Sequence, residues 1–332
     1  MSSIAAGGTS RRAWLPGFVV LAAIWGSGYL FIKIGVGELH PVHLSAYRLA
    51  TAAVAMLVLL AVLRDRLPTD PRTWLHLTVV AMFQLVLPLP LLAYSEQRID
   101  SLLAAIWNAT SPLVVLPMAV LLFRTERLDP RRAVGLGVGF AGVLVVLGVW
   151  QGVGGAHLTG QLLAFAAAAC FGFAIPYQRR FLADSTHSEL SLTAGQLLVG
   201  AVLMALLVPT GGTPPAPTRL SVEVLASVLV LGVFATGFAF VLNMRLIRQV
   251  GASLAASVMY VIPIFAVVAG VLFLDERLTW YQPVGALVVL VGVMIIQGGA
   301  VRWRRVRSSL PSAGDVVSVA VPTPSVGPPA TS

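Results

Sequence analysis

Charged residues are scarce in this chain. Only 11% of its 332 residues are Asp, Glu, Lys or Arg, whereas 58% are hydrophobic. A soluble domain carries about 25% charged residues, because its surface faces water. The composition therefore excludes an ordinary soluble globule and indicates a protein that uses lipid as its solvent.

Cysteine and lysine are almost absent as well. The single cysteine, Cys170, lies in an apolar run, so no intrachain disulfide can form. Lys33 is the only lysine, and the net charge of +9 comes from arginines in the short segments between apolar runs. This placement is better explained by membrane topology than by nucleic-acid binding.

Acidic residues are missing from the middle of every apolar run. All thirteen lie in, or at the edge of, a gap between runs, and only Lys33 and Arg48 among the basic residues lie inside one. Because charge is costly at the bilayer centre, this segregation is typical of membrane-spanning helices. It also predicts that no carboxylate within a helix core relays protons.

Long apolar runs predict ten transmembrane helices. Most are about 18–23 residues long, which matches a hydrocarbon layer of roughly 30 Å at 1.5 Å per residue. The predicted helices are 15–34, 43–63, 74–95, 101–123, 133–150, 159–179, 190–208, 222–243, 252–274 and 282–300.

The arginines assign an orientation to this layout. With the N-terminus inside, seventeen arginines fall in inside segments and three in outside loops. This asymmetry follows the positive-inside rule and predicts that both termini are cytoplasmic. Residues 1–14 form an N-terminal tail, and residues 301–332 form a tail that is first basic and then disordered.

The sequence repeats itself at a spacing of about 150 residues. The run LFRTERLDPRRAVGLGVGFAGVLV from Leu122 aligns with LFLDERLTWYQPVGALVVLVGVMI from Leu272. Just upstream, at an offset of 151, Leu103, Ala104, Ala105 and Pro112 match Leu254, Ala255, Ala256 and Pro263. Fainter matches link Trp25-Gly26 with Phe171-Gly172 and Arg48-Leu49 with Gln196-Leu197. The halves, 15–150 and 159–300, hold five helices each, so the second enters the membrane inverted, as is typical of secondary transporters.

Several short motifs occur in one order along the chain. They are WGSGYLFIK at 25–33, Arg48 after Pro41, NATSP at 108–112, the ERL turns at 126–128 and 276–278, and glycine-rich helices five and ten. Over about 15–300 the chain resembles the EamA-type transporters of the drug/metabolite transporter superfamily. The resemblance implies ten helices, an inner-membrane location and export of amino acids or related metabolites.

Polar residues inside apolar helices are the candidates for a solute site. Arg48 lies about five residues, or roughly 8 Å, into the second helix. It either holds a carboxylate or phosphate, or it snorkels outward or braces a carbonyl. Lys33, at the end of the first helix, is expected to snorkel.

Prolines mark two places where a helix is expected to break. Pro112 in the fourth helix and Pro263 in the ninth remove a backbone donor and approach the midplane from opposite sides; a packed structural kink is the alternative. The predicted substrate-binding residues are Trp25, Arg48, Gln84, Trp107, Asn108, Thr110, Gln196, Asn243 and Tyr260, among which Asn108 and Tyr260 are expected to face the cavity.

Glu126 and Glu276 lie at membrane edges beside arginines. Helix capping and salt bridges explain them more simply than a gate or proton site does. The glycines of the two glycine-rich helices predict close helix packing; they are at positions 135, 137, 139, 142, 285 and 292.

These patterns predict a secondary transporter that exports a small metabolite, such as an amino acid, by alternating access. The alternatives are a carrier of drugs or other organic solutes and a structural or signalling membrane protein. An intramembrane enzyme fits least, because no acidic pair enters the membrane.

No cofactor or metal is expected. The expected partners are a small solute and the lipid bilayer; protons are a candidate coupling ion, although a facilitator or coupling through peripheral acids fits the sequence better.

Overall fold

The computed structural model describes residues 14–124, 129–147, 155–182, 185–250, 258–277 and 279–308. Every regular element in these residues is a helix. Seven helical segments in this part of the chain are long and apolar enough to cross a bilayer, and two shorter apolar helices are Val261–Leu274 and Tyr281–Gly292. The chain is a helical membrane protein with several spans, as its composition predicts.

The described residues form thirteen α-helices. They are α1 (Leu15–Glu38), α2 (Pro41–Val62), α3 (Pro71–Ala81), α4 (Pro88–Glu96), α5 (Ser101–Asn108), α6 (Ser111–Pro117), α7 (Pro130–Leu147), α8 (Gly155–Phe181), α9 (Glu189–Leu207), α10 (Val222–Leu229), α11 (Ala239–Val250), α12 (Val258–Leu274) and α13 (Tyr281–Ser308). Three π-helical segments continue them: π1 (Met82–Val86) joins α3 to α4, π2 (Met118–Leu122) follows α6, and π3 (Val230–Phe238) joins α10 to α11.

Local sequence explains where several helices begin. The side chain of Asp70 accepts from the Thr73 backbone N–H at 2.8 Å before α3. Ser188 and Ser221 play the same part before α9 and α10. Such caps satisfy backbone donors that the first turn leaves without a partner.

Two helices run further than their apolar runs predict. The break expected near Arg245 is absent there, because α11 continues through it to Val250. The predicted end at residue 300 is also wrong, because α13 continues to Ser308. Its added residues include four arginines, which form helix readily and are favourable at a helix C-terminus. The first ERL turn and the chain ends before 14 and after 308 lie outside the described residues.

Glycines bring α7 and α13 into backbone contact. A Cβ at Gly142 would lie 2.9 Å from the Gly285 carbonyl oxygen, and one at Gly292 would lie 2.7 Å from the Gly135 carbonyl oxygen. The predicted close packing is thus present at these positions, but Gly137 has nothing within 4 Å of its would-be Cβ. At an offset of 150, Gly142 corresponds to Gly292 and Gly135 to Gly285, so one contact occurs twice with the halves exchanged.

A second pair of contacts has the same reciprocal form. A Cβ at Gly26 in α1 would lie 2.8 Å from the Ile262 carbonyl oxygen and would also meet Phe265 of α12. A Cβ at Gly172 in α8 would lie 2.6 Å from the Cβ of Val114 in α6. Gly26 aligns with Gly172, and Val114 aligns with Phe265 at an offset of 151. Reciprocal contacts of this kind are what a two-fold relation between two bodies produces.

Candidate functional site

The fourth predicted helix is interrupted beside Pro112. Helix α5 ends at Asn108 and α6 begins at Ser111. The Thr110 hydroxyl donates to the Trp107 carbonyl oxygen at 2.7 Å, and the Ser111 hydroxyl donates to the Asn108 carbonyl oxygen at 2.6 Å. These hydroxyls supply donors where the helical ladder stops. Thr110 is 1% exposed, and its role in binding a solute stays a prediction.

Pro263 does not break its helix. Helix α12 runs without interruption from Val258 to Leu274 and contains Pro263, so the predicted break there is wrong. Proline is tolerated within membrane helices when neighbouring helices surround the freed carbonyl. Close packing of α1 on α12 at Gly26 provides such a neighbour.

Arg48 is half-buried on α2 and faces π3. Its Nε donates to the Thr236 hydroxyl at 2.7 Å, and that hydroxyl donates to the Leu231 carbonyl oxygen at 2.8 Å. This is the only hydrogen bond of the Arg48 side chain among the described residues. The Thr236 bond therefore fixes one edge of the guanidinium and leaves its two terminal nitrogens available to a ligand.

Trp25 meets the same π-helical segment from α1. Its indole N–H donates to the Ala235 carbonyl oxygen at 3.1 Å, and its ring lies edge-on to Phe240 at a centroid distance of 6.2 Å. The wider turn of a π-helix changes which carbonyls are paired, and such segments often occur at functional sites. Two of the predicted site residues, Trp25 and Arg48, thus converge on π3.

Gln84 and Gln196 contact each other directly. The Gln196 amide nitrogen donates to the Gln84 side-chain oxygen at 2.7 Å. Gln84 lies in π1, as Thr236 lies in π3, and Gln196 aligns with Arg48 in the repeat. The Gln84–Gln196 pair is therefore the counterpart of the Thr236–Arg48 pair. Thr236 was not among the predicted site residues, although it follows Gln84 by about one repeat length.

Tyr29 links the first half's candidates. The Asn108 side chain and the charged groups of Glu96 and Arg48 lie close enough to the Tyr29 hydroxyl to influence it electrostatically. Tyr29 itself is 5% exposed. Helices α1, α2, α4 and α5 therefore place Asn108 and Arg48 around one buried phenol.

The remaining predicted residues are not brought to this cluster by any described contact. Trp107 is 2% exposed; its indole donates to the Gln161 side-chain oxygen at 3.1 Å and packs edge-on to Phe165. Asn243 is half-buried in α11. The side chain of Tyr260 lies outside the part that the structure describes. The packing of Trp107 explains its burial without a solute.

Glu96 is the functional candidate that the sequence did not predict. It is the last residue of α4, is fully buried, and has no hydrogen-bond partner for either carboxyl oxygen in the part of the chain that the structure describes. Glu96 ends its helix, so it does not contradict the expectation that no carboxylate lies within a helix core, but its burial was not predicted. The residue lies at the edge of its apolar run, as the charge pattern indicates, but α1 and α2 cover that edge. Lys33, Arg48 and Glu276 are the charged groups whose fields reach it.

Lys33 bonds the end of α4 and lines a cavity beside it. Its ammonium donates to the carbonyl oxygens of Glu96 at 2.7 Å and Ile99 at 2.9 Å, so it caps the end of α4 rather than snorkelling outward. A cavity of about 410 Å³ is lined by Lys33, Val36, Gly37, Glu96 and Gln97. Glu96 thus borders this cavity, although its two carboxyl oxygens are buried.

Glu276 acts as a cap, as its position beside a turn predicts. It accepts from the Ser101 backbone N–H at 2.8 Å, the Ser101 hydroxyl at 2.8 Å and the Leu102 backbone N–H at 3.2 Å. Within the described residues, no group of three or more His, Cys, Asp or Glu side chains is arranged to hold a metal ion.

The fold and this cluster define a class of protein: a multi-span helical membrane protein with charged and amide side chains gathered inside the bundle. The model of the EamA-like transporter family matches residues 12–148 and again 158–298. The chain therefore belongs to the EamA-like transporter family.

Named relatives agree with this assignment. The chain is 28% identical over 300 residues to the uncharacterized inner membrane transporter YedA of Escherichia coli K12, covering 87% of this chain and 92% of that one. It is 25% identical to the uncharacterized transporter YoaV of Bacillus subtilis, covering 84% and 94%. A probable amino-acid metabolite efflux pump of Escherichia coli K12 is 23% identical and is covered to 95%.

The fold also matches a solved crystal structure. The match covers 90% of this chain and 99% of the other, with a TM-score of 0.59 and 21% identity. At that identity the likeness concerns the fold alone.

Proposed function

We propose that this protein is a secondary transporter that exports a small metabolite, such as an amino acid or a related amphipathic solute, by alternating access. It lies in the inner membrane with both termini in the cytoplasm. Ten helices form two inverted repeats of five, at 15–150 and 159–300. Carriers of drugs or other organic solutes share this architecture and are the alternative.

Reciprocal contacts support the inverted repeat. The Gly142–Gly285 and Gly135–Gly292 approaches exchange the two halves, and so do the Arg48–Thr236 and Gln196–Gln84 hydrogen bonds. Two bodies related by a pseudo-two-fold axis in the membrane plane can rock about a central site, which opens alternately to each side.

Arg48 carries the proposal for the solute. A guanidinium inside the bundle offers a fixed fork of donors that matches a carboxylate, and the Thr236 bond occupies only its Nε. The nearby Trp25, Tyr29 and Asn108 are neutral and mostly aromatic. A carboxylate at Arg48 with an apolar or amide part against these residues fits an amino-acid-like solute. The name of the Escherichia coli efflux pump points in the same direction.

An export screen tests this function. Cells that overproduce the wild type, Arg48→Gln or Asp100→Asn are grown in parallel, and the metabolites in their media are compared by mass spectrometry at matched membrane levels of the protein. We expect one or more carboxylate-bearing solutes to accumulate with the wild type and Asp100→Asn but not with Arg48→Gln. Equal accumulation with Arg48→Gln would contradict the role of Arg48, and no excess solute with the wild type would contradict export.

A further inference from the structure

Glu96 has a place in the fold that a structural role does not explain. Glu276 and Lys33 already hold the two helix ends at the turn between α4 and α5. The Glu96 carboxyl group contributes no hydrogen bond to that turn or to any other described residue. No described residue donates a hydrogen bond to the Glu96 carboxyl oxygens in this conformation.

An ionised carboxylate is costly in such surroundings. Burial of a charge without hydrogen bonds costs far more than burial of the neutral acid. Lys33 is the nearest source of compensation, but two of its donors are taken by the carbonyl oxygens of Glu96 and Ile99. Glu276 adds a like charge from the segment after α12. The neutral, protonated form of Glu96 is therefore the form that fits.

A change of conformation would reverse that preference. Lys33 and Tyr29 on α1, Arg48 on α2 and Glu276 beside α12 are the titratable groups that reach Glu96. A movement that exposed the carboxyl group to the 410 Å³ cavity, which both Lys33 and Glu96 line, would let water reach it. Water would then solvate the charge, and the two cations would offset it.

We propose that Glu96 is a proton-binding site that couples solute transport to proton movement. The structure represents the proton-loaded state. When the site opens to water, the carboxyl O–H bond breaks, the proton passes to a water molecule as hydronium, and the carboxylate remains with its electron pair. Because Arg48 lies within electrostatic range of Glu96 and is the proposed partner of the solute, the charge on Glu96 changes the affinity for the solute, and a proton gradient can therefore drive its movement. This coupling rests on the proposed transport function.

The proton itself is measured without any solute. Infrared difference spectroscopy on the purified protein in lipid detects the carbonyl stretch of a protonated carboxyl group at neutral pH. We expect this band in the wild type and in Asp100→Asn, and its loss in Glu96→Gln. Glutamine resembles the neutral acid in shape and polarity, so the variant should keep the wild-type unfolding temperature. A band that survives in Glu96→Gln would overturn the proton site.

Coupling is measured in vesicles. Proteoliposomes with an acidic interior, and others with an alkaline interior, are placed in a bacterial metabolite extract, and the solutes that accumulate inside are identified by mass spectrometry. With one of the two gradients, wild type and Asp100→Asn should concentrate a solute at least tenfold more than vesicles without a pH gradient. Glu96→Gln should lose this concentration yet still equilibrate the same solute.

The outcomes separate the two proposals. Gradient-driven accumulation that persists in Glu96→Gln would overturn the coupling role of Glu96. Loss of equilibration as well would show that Glu96 is required for transport of the solute itself and not only for its coupling to protons, which also overturns the coupling role. If wild-type vesicles take up no solute under any gradient, the transport function fails, and the infrared band alone then decides whether Glu96 holds a proton.

Discussion

The Glu276 carboxylate lies 2.8 Å from the backbone nitrogen of Ser101, across 175 residues of sequence. Asp100 occupies the N-cap position of α5 but makes no side-chain capping bond. Glu276, which is distant in sequence, thus caps α5 in place of the residue at its N-cap position. Gly270 makes this possible, because a Cβ there would lie 2.6 Å from a Glu276 carboxyl oxygen.

Replacing Glu276 by glutamine should destabilise the protein. The change removes a charged acceptor from two backbone N–H groups and one hydroxyl, which typically costs about 1–2 kcal/mol. Thermal unfolding in detergent at neutral pH measures the loss. Asp100→Asn is the matched control, since burial and the neighbouring Glu276 raise the pKa of Asp100, so its ionised form is disfavoured in the folded protein. Asp100→Asn should therefore leave stability unchanged or raise it; a loss equal to that of Glu276→Gln contradicts the assignment of the cap.

Gly142→Ala should separate α7 from α13. The added Cβ would lie 2.6 Å from the Val289 backbone nitrogen, and backbone cannot rotate away as a side chain can. We expect a loss of about 1–3 kcal/mol, as is usual for overpacking. Gly137→Ala on the same helix is the control: nothing lies within 4 Å of its Cβ, and alanine favours helix by up to about 1 kcal/mol over glycine. Equal unfolding temperatures for the two variants would show that the contact is dispensable.

Thr236→Val should weaken solute binding through Arg48. Valine keeps the shape of threonine but removes the hydroxyl that accepts from Arg48 Nε, so the guanidinium loses its fixed orientation. A net hydrogen bond of about 1 kcal/mol corresponds to a roughly fivefold higher half-saturation concentration. Transport assays with the solute found in the export screen measure it. Thr78→Val is the control, because among the described residues the Thr78 hydroxyl bonds only the Trp74 carbonyl oxygen of its own helix. Identical kinetics in both variants would show that Thr236 does not contribute to solute binding.

Asp70 should make stability depend on pH in the acid range. Its carboxylate accepts from Thr73 and pairs with His187 at 2.7 Å, and these bonds lower its pKa below the ordinary value of 3.8. A lowered acid pKa gives stability that is present above 3.8 and lost as pH falls further. Asp70→Asn should therefore unfold at a lower temperature than wild type at neutral pH, and the difference should shrink below 3.8. His187→Gln, which leaves the Thr73 bond, should lose less; a pH-independent difference for Asp70→Asn would contradict this account.

The helices could be predicted from sequence because a membrane helix satisfies its own backbone. Apolar length alone therefore locates elements such as α1, α2 and α9 to within a few residues. The extension of α13 to Ser308 escaped this rule, since arginines can continue a helix after the apolar run ends. The three π-helical segments were also missed, because side chains on neighbouring helices decide which backbone groups pair.

Only some residues of the candidate site could be predicted from the sequence in the same way. Arg48 and Gln196 stand out as polar residues inside apolar runs, but Thr236 does not, because threonine is common in membrane helices. The repeat offers the missing signal, since Thr236 follows Gln84 by about one repeat length. Glu96 could not be recognised in this way: its burial depends on α1 and α2 covering the end of α4, and no local pattern records that.

The turn at 97–100 is held by residues from opposite ends of the chain. Lys33 is translated before the turn and Glu276 long after it, so the carbonyl side of the turn is satisfied early and the N–H side late. During synthesis, α5 enters the membrane without its cap and acquires it only when α12 has been inserted. The N-terminal end of α5 therefore cannot be capped by the first half alone, because its acceptor is synthesised with the second half.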